Sequence, residues 1–196
     1  LPALADPAAE RRAGALATVE LLFFPTGGGK TEAYLGLAAY AFAIRRRQGL
    51  LDTPDGPIDG RAGVTVLMRY TLRLLTSQQF QRAATLVCAA ELARREDPVA
   101  WGEESFRIGL WVGTAVSPKR VSEAAEELQR LREQNGGGAG HRFTALQLGH
   151  CPWCGRPLTH ADVTVGPAAG IADRVILRCS DAFGECPFSE GDDNVP

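Results

Sequence analysis

The feature of this sequence that most constrains its fold is a glycine-rich loop between an apolar run and a helical segment. Residues 17–24 are mostly apolar, Pro25 and three glycines follow, and residues 30–48 have helical composition. A short apolar run that ends in this way is typical of a buried strand in a parallel sheet. In the order strand, loop and helix, glycines let backbone N–H groups turn inward around a phosphate, next to the positive end of the helix dipole. The segment therefore predicts a phosphate-binding loop in an α/β protein.

The side chains around the glycines match the chemistry of nucleotide binding, although Phe24 stands where the strict pattern has glycine. Lys30 is predicted to neutralise the β- and γ-phosphates of ATP, and the Thr31 hydroxyl to hold Mg²⁺, so these two are the candidate catalytic residues. Lys30 and Lys119 are the only lysines of the chain, and a compact ammonium fits a phosphate loop where a bulky, planar guanidinium would not. The remaining cofactor-binding candidates, backbone donors with one supporting carboxylate, are Thr26, Gly27, Gly28, Gly29 and Glu32. The alternative is a glycine turn that only reverses the chain.

Strand and helix patterns alternate after the loop. Residues 63–69 and 106–112 are apolar enough to form two more buried strands, and a helix is predicted for about 72–96 with Thr71 as its N-cap. A loop is predicted for residues 51–62, because two prolines and two glycines fall there. This alternation predicts right-handed parallel βαβ units.

Four cysteines in the last quarter of the chain have the spacing of metal ligands. Two residues separate the first pair, so that both sulfurs can face one ion, and Gly155 relieves the tight turn. Between the two pairs, residues 162–165 and 174–178 alternate enough to form short strands. This pattern predicts a zinc ribbon in which four thiolates close a structural Zn²⁺ site. The predicted ligands are Cys151, Cys154, Cys179 and Cys186.

Two alternatives stay open at the cysteine site. His150 or His160 could take the place of Cys179, because the second pair is spaced more widely than is usual, and disulfides are the other alternative. No secretion signal is visible in residues 1–17, so a reducing, cytoplasmic compartment is predicted, which favours metal ligation. The fifth cysteine, Cys88, is predicted to be a small buried hydrophobe rather than a reactive thiol.

Three stretches of the chain resemble motifs of superfamily-2 helicases. Residues 25–32 resemble motif I, and residues 69–78 resemble motif Ia, a strand-to-helix turn that holds a single-strand backbone, although its usual proline is missing. Residues 111–114 are similar to the short glycine motif that follows in these enzymes. Over roughly residues 1–190, cysteine-rich insertion included, the chain further resembles the helicase subunit of the DISARM antiphage-defence system.

This resemblance implies a RecA-like P-loop NTPase that binds ATP, Mg²⁺ and DNA together with other subunits of a defence complex. It makes Arg69, Arg73 and Gln78 the candidate contacts to DNA that is single-stranded or has a single-stranded end. No Asp-Glu pair follows a strand after Gly113, and the second RecA-like domain with its arginine finger is missing from the sequence. The chain by itself is therefore expected to bind nucleotide without hydrolysing it, as an excised piece of a longer helicase or translocase.

The predicted organisation combines these parts. An incomplete RecA-like domain with a parallel sheet covers residues 1–115, and a helical insertion with a glycine-rich linker covers 116–140. The zinc ribbon covers 141–190 and an acidic tail covers 191–196. Within the linker, residues 135–140 (Asn-Gly-Gly-Gly-Ala-Gly) are predicted to uncouple the ribbon from the nucleotide-binding part.

Two other classes of function are compatible with the sequence. One is a phosphotransferase that uses the same loop on a small molecule, and the other is a non-catalytic zinc-ribbon module that binds nucleic acid. A formal net charge of −2 excludes a bulk basic surface, so any contact to nucleic acid has to be local. No apolar run reaches the length of a membrane-spanning helix, so no membrane partner is predicted. Trp153, in the first cysteine pair, is interpreted as a packing residue, with base stacking as the alternative.

Overall fold

The computed structural model describes residues 29–69, 73–112, 117–133, 145–166, 173–181 and 184–189, and the backbone alone of residues 73–77. It is a mixed helix and strand structure. Four helices are present in these ranges: α1 (Lys30–Gln48), α2 (Arg73–Glu96), α3 (Pro98–Trp101) and α4 (Val121–Glu133). Four strands are β1 (Leu50–Thr53), β2 (Gly56–Asp59), β3 (Val163–Val165) and β4 (Val175–Leu177), with a 3-10 turn at His160–Asp162. No helix in the described ranges is long and apolar enough to cross a membrane.

The helix predictions are confirmed, and local chemistry accounts for their ends. Gly29 precedes α1 with a φ of 75°, a left-handed conformation that favours glycine, and Gly49 ends the helix by donating its N–H to the Arg45 carbonyl at 3.1 Å. The predicted helix at 72–96 is α2, which begins at Arg73, and its predicted N-cap, Thr71, lies outside the described residues. Helix α4 buries one face, as the helical repeat requires, and the buried residues are Ala124, Leu128 and Leu131.

The prediction of a parallel sheet is not met in the described residues, where both sheets are two-stranded and antiparallel. Residues 63–69 and 106–112, predicted as strands, are not assigned to any strand. A strand of a parallel sheet pairs with neighbouring strands at its edges, and helices cover both faces of the sheet. Here Val64 is 82% exposed and Leu67 is 91% exposed, so these side chains lack that cover. The third predicted strand, residues 17–24, lies outside the described residues.

The prediction of a loop at residues 51–62 is wrong, because β1 and β2 form a hairpin there. Leu50 pairs with Asp59, and Thr53 pairs with Gly56 across a two-residue turn. The Thr53 hydroxyl donates to the Gly56 carbonyl at 2.6 Å, which closes the turn. Prolines and glycines marked the turn correctly, but the strands on either side are short and mostly exposed, so their apolar pattern is weak.

Arginines at the end of α1 anchor the segments that follow. Arg45 donates from Nη1 to the Val64 carbonyl (2.8 Å) and to the Thr65 hydroxyl (3.0 Å), and from Nη2 to the Ala62 carbonyl (2.9 Å). The Arg46 guanidinium carbon lies 4.5 Å from the centre of the Phe106 ring. These contacts hold both predicted strand segments against α1, although neither segment pairs as a strand.

One hydrophobic core joins α2, α4 and the cysteine-rich unit. Ala84 and Cys88 of α2 and Leu128 of α4 pack with the buried side chains of the ribbon. The ribbon residues in this core are Leu146, Leu148, Cys151, Leu158, Val163, Val165, Cys179, Cys186 and Phe188. The predicted uncoupling of the ribbon is therefore wrong for the described residues, since the unit shares its core with two helices.

Candidate metal centre and phosphate-binding loop

The four predicted ligands come together in the structure. Their sulfur atoms all lie within 4.8 Å of one another, and the group consists of Cys151, Cys154, Cys179 and Cys186. The sulfurs of Cys151 and Cys186 are 3.9 Å apart, and those of Cys154 and Cys179 are 3.5 Å apart. Four thiolates at the Zn–S distance of 2.3 Å form a tetrahedron with edges of about 3.8 Å. The spacing of the sulfurs therefore fits one tetrahedrally coordinated ion.

Both alternatives for the cysteine site fail against this geometry. Neither His150 nor His160 belongs to the group of potential ligands within the described ranges, and Cys179 does. Sulfur separations of 3.5 and 3.9 Å are far longer than the about 2.05 Å of a disulfide, and all five cysteines are free thiols.

Tight backbone turns aim the first pair of sulfurs. Gly155 donates its N–H to the Cys151 carbonyl at 3.0 Å, and the Cys151 N–H reaches the Arg156 carbonyl at 2.7 Å. The turn needs a φ of 77° at Gly155, as the sequence predicted. The strands predicted between the pairs are also confirmed: β3 and β4 pair antiparallel, with Thr164 opposite Ile176.

Two aspartates that sequence reasoning did not select organise the second pair. The Asp181 carboxylate accepts the N–H groups of Glu185 and Cys186, each at 2.9 Å, and so folds the long spacer between the two cysteines. Asp162 is buried and accepts the N–H of Ser180 at 3.1 Å, next to Cys179. Asp181 follows Cys179 by two residues, and an aspartate so close to a ligand cysteine was a signal available in the sequence, since such carboxylates cap turns. Asp162 is distant from both cysteine pairs in sequence and gave no such signal.

The thiols are crowded enough to favour a bound cation. Burial and the neighbouring sulfurs of Cys154 and Cys151 raise the pKa of Cys179 well above its ordinary value. Burial and the nearby Cys151 raise the pKa of Cys186 to about 11. At Cys154, burial acts in the same direction, but hydrogen bonds from the Arg156 backbone and the other thiols outweigh it and lower the pKa. A metal ion replaces the protons of such thiols and neutralises their mutual repulsion.

The fifth cysteine lies beside this centre without joining it. Cys88 is fully buried in the shared core, as predicted. Burial, together with the sulfurs of Cys151 and Cys186, raises the pKa of Cys88 to about 12. The thiol is therefore an unreactive packing group.

Polar contacts fix the cysteine unit to α2. Gln81 donates from its side chain to the His150 carbonyl at 3.1 Å, and the Thr85 hydroxyl donates to the Pro152 carbonyl at 3.0 Å. Near the end of α2, Arg95 donates to the Pro187 carbonyl. Its guanidinium carbon lies 5.0 Å from the centre of the Phe188 ring. The first cysteine knuckle, at residues 150–160, thus docks near the middle of α2. The segment after Cys186 docks near the end of α2.

A buried carboxylate ties the same helix to the segment before Trp111. Glu91 is only 3% exposed, and its oxygens accept from Arg94 (2.7 Å), from Arg95 (3.3 Å) and from the Phe106 N–H (2.8 Å). Burial acts to raise the pKa of Glu91, but these hydrogen bonds and the Arg94 charge outweigh it and lower the pKa below 4.5. Glu91 therefore links the backbone at Phe106 to the arginine that contacts the ribbon.

The phosphate-binding candidates are described only in part. Lys30 and Thr31 stand in the first turn of α1, directly after the left-handed Gly29. Glu32 forms an ion pair with Arg82 of α2, and this hydrogen bond lowers the pKa of Glu32. The other loop candidates, Thr26, Gly27 and Gly28, lie outside the described residues.

Two of the three candidate DNA contacts have side chains within the described residues. Arg69 is exposed at the end of the segment that follows the hairpin, and Gln78 is exposed on α2. The Arg73 side chain lies outside the described residues, as does Gly113 of the glycine motif. Trp111, in the segment predicted as a buried strand, is fully exposed.

The geometry defines a four-cysteine centre that is docked on the helices of a mixed helix and strand structure. Comparison with known protein families found no match. The chain is similar to the DISARM protein DrmA of Bacillus paralicheniformis, with 39% identity over 137 residues. The matched region is 70% of this chain and only 12% of the length of that relative. The matched part of the chain thus spans only about an eighth of the length of DrmA.

Proposed function

We propose that this chain is the ATP-binding portion of a superfamily-2 DNA helicase or translocase that acts in DISARM antiphage defence. The observation that carries the proposal is the 39% identity to the DISARM protein DrmA over 70% of the chain. Lys30 and Thr31, placed after Gly29 at the start of a 19-residue helix, support it. In the full-length protein, a RecA-like sheet would form around the predicted strand at residues 17–24.

Each candidate residue has a role in this proposal. When ATP and Mg²⁺ bind, Lys30 neutralises the terminal phosphates, and Thr31 supplies a hydroxyl to the metal ion. Glu32 forms an ion pair with Arg82, so α2 contacts the first turn of α1, which carries Lys30 and Thr31. Arg69 and Arg73, with Gln78, contact the DNA backbone. The remainder of the protein supplies the acidic pair and the arginine finger, which is why the isolated chain should not turn over ATP.

The cysteine centre has a structural role in the proposal. Four sulfurs at tetrahedral spacing leave no open position for substrate, and Zn²⁺ is the ion that prefers such a set. The ion stabilises the core shared with α2, the helix that carries Gln78. Thiol ligation requires a reducing compartment such as the cytoplasm, where other defence subunits would assemble with the protein.

The experiment that tests the proposal is a steady-state ATPase assay of the full-length protein with and without single-stranded DNA. We expect DNA to stimulate hydrolysis by at least tenfold, because motor ATPases couple turnover to the strand they move on. Hydrolysis that ignores DNA but rises with a small-molecule acceptor would favour a phosphotransferase. DNA binding with no nucleotide binding would favour a non-catalytic ribbon module.

A further inference from the structure

The first cysteine knuckle presents an aromatic ring to solvent. Trp153 is 45% exposed, although it lies between two ligand cysteines of a closed centre. Its ring meets the buried Phe188 ring edge-on, with 6.4 Å between centres and 71° between planes. This contact orients the indole ring against the protein and leaves much of the ring exposed to solvent. A fixed, half-exposed ring is suited to stacking against a planar partner.

The knuckle lies next to the helix that carries a candidate DNA contact. Gln81 and Thr85 of α2 hold the carbonyls of His150 and Pro152, the residues on either side of Cys151. Gln78, which is exposed, precedes Gln81 by three residues and so lies almost one turn away on the same side of the helix. The knuckle surface therefore continues the surface proposed to contact DNA.

The charge of the knuckle differs from that of the whole chain. Residues 150–160 contain Arg156 and two histidines but no acidic residue, whereas the chain has a formal net charge of −2. Arg156 is exposed, and it follows Gly155 in the turn that carries Trp153. Arg156 therefore places a positive charge in the same turn as Trp153, where it can contact a phosphate of a bound strand.

We infer that Trp153 and Arg156 form a contact surface for single-stranded nucleic acid, with the ring stacking on a base and the guanidinium contacting the backbone. The inference rests on the proposed function, and it extends the strand path from the start of α2 onto the zinc ribbon. Stacking tolerates any base, because every base has an aromatic face. A duplex offers no unstacked base to the ring, so the surface selects single strands.

The test is the affinity of the full-length protein for a fluorescent oligothymidylate, measured by anisotropy for three variants. Trp153→Ala should weaken binding about 5- to 150-fold, the range for loss of one stacked base. Trp153→Phe keeps an aromatic face and should stay within about threefold of wild type. Arg156→Gln should lower the slope of log affinity against log salt by about one, and Arg130→Gln on α4 is its matched control and should not.

Metal content and helical circular dichroism of each variant separate a lost contact from a lost fold. If Trp153→Ala loses the metal, the exposed Arg156→Gln variant decides, and an unchanged salt slope would overturn the inference. Wild-type affinity in a Trp153→Ala protein that retains its metal would also overturn it, as would equal weakening by Trp153→Phe. A variant that binds DNA normally but loses a defence subunit would assign the surface to protein instead. DNA-stimulated ATP hydrolysis in the wild type shows independently whether the proposed function itself holds.

Discussion

The cysteine-rich region and the phosphate-loop region of this chain differ in how fully they cover their apolar side chains. In the first, Leu128 of α4 is 3% exposed, and it packs in a core that includes three of the four ligand cysteines. In the second, Leu67 is 91% exposed and Trp111 is fully exposed. Both regions contact α2, so this helix does not explain the difference. The difference lies in which other segments cover the apolar side chains of each region.

The difference shows how far local sequence signals can specify structure. A metal site, tight turns and a two-strand ladder are closed by residues a few tens of positions apart, so one short sequence contains all the parts. A parallel sheet requires strands that are far apart in sequence to pair with one another. The exposed apolar residues at 63–69 and 106–112 are those that such a sheet would cover.

The largest effect on stability is expected from removing the metal ligands. Cys151→Ser/Cys154→Ser should lower zinc from one equivalent per chain to none and destabilise the shared core by up to about 10 kcal/mol, the order of structural zinc binding. Because α2 and α4 share that core, the helical circular dichroism should melt earlier as well. Cys88→Ala is the control and should keep the metal. One equivalent of zinc in the double variant would show that the ligand set is wrong.

A second effect is expected at the buried carboxylate that connects the two regions. Glu91→Gln should lower the free energy of unfolding by about 3 kcal/mol, because a neutral amide would replace the buried charge that accepts hydrogen bonds from Arg94 and Arg95. Glu103→Gln, at an exposed carboxylate, should change it by less than about 0.5 kcal/mol. Chemical denaturation measures both, and equal shifts would contradict the role of Glu91.

Low pH should weaken the interaction of the Glu91 carboxylate with its hydrogen-bond donors. The pKa of Glu91 is lowered in the folded protein, so the stability it contributes is present above its ordinary value of 4.5 and is lost as the pH falls through the lowered value. The stability difference between wild type and Glu91→Gln should therefore shrink below about pH 4.5. A difference that stays constant down to pH 3 would show that the carboxylate is not held as charged.

A pair of leucines sharpens the comparison between the regions. Leu128→Ala should cost about 2–5 kcal/mol because it opens a cavity, whereas Leu67→Ala should cost less than about 0.5 kcal/mol in the 196-residue chain. In the full-length protein, a parallel sheet would bury Leu67. The free energy of unfolding lost in Leu67→Ala should then reach the range expected for Leu128→Ala. A cost that stays near zero there would contradict the proposed RecA-like sheet.

Much of the cysteine site could be predicted from the sequence, because the spacing of the cysteines indicates which sulfurs meet. It left open whether a histidine replaces Cys179, and the positions of the sulfurs decided that point. The same is true of α1, α2 and α4, whose apolar repeats and end residues are local. The docking of the ribbon could not be predicted: it depends on Gln81, Thr85 and Arg95, polar residues of a helix far from the cysteines in sequence. The hairpin at residues 50–59 was missed because its strands are exposed and carry little apolar pattern.

The most direct test of the proposed function combines a small expected effect on stability with the largest expected effect on activity. Lys30→Ala should change the free energy of unfolding by less than about 1 kcal/mol, because Lys30 is partly exposed in the first turn of α1. We expect DNA-stimulated ATP hydrolysis by the full-length Lys30→Ala protein to fall to background, and hydrolysis by Lys119→Ala, at the other lysine, to match wild type. Sustained hydrolysis in a folded Lys30→Ala protein would contradict the assignment of the phosphate loop.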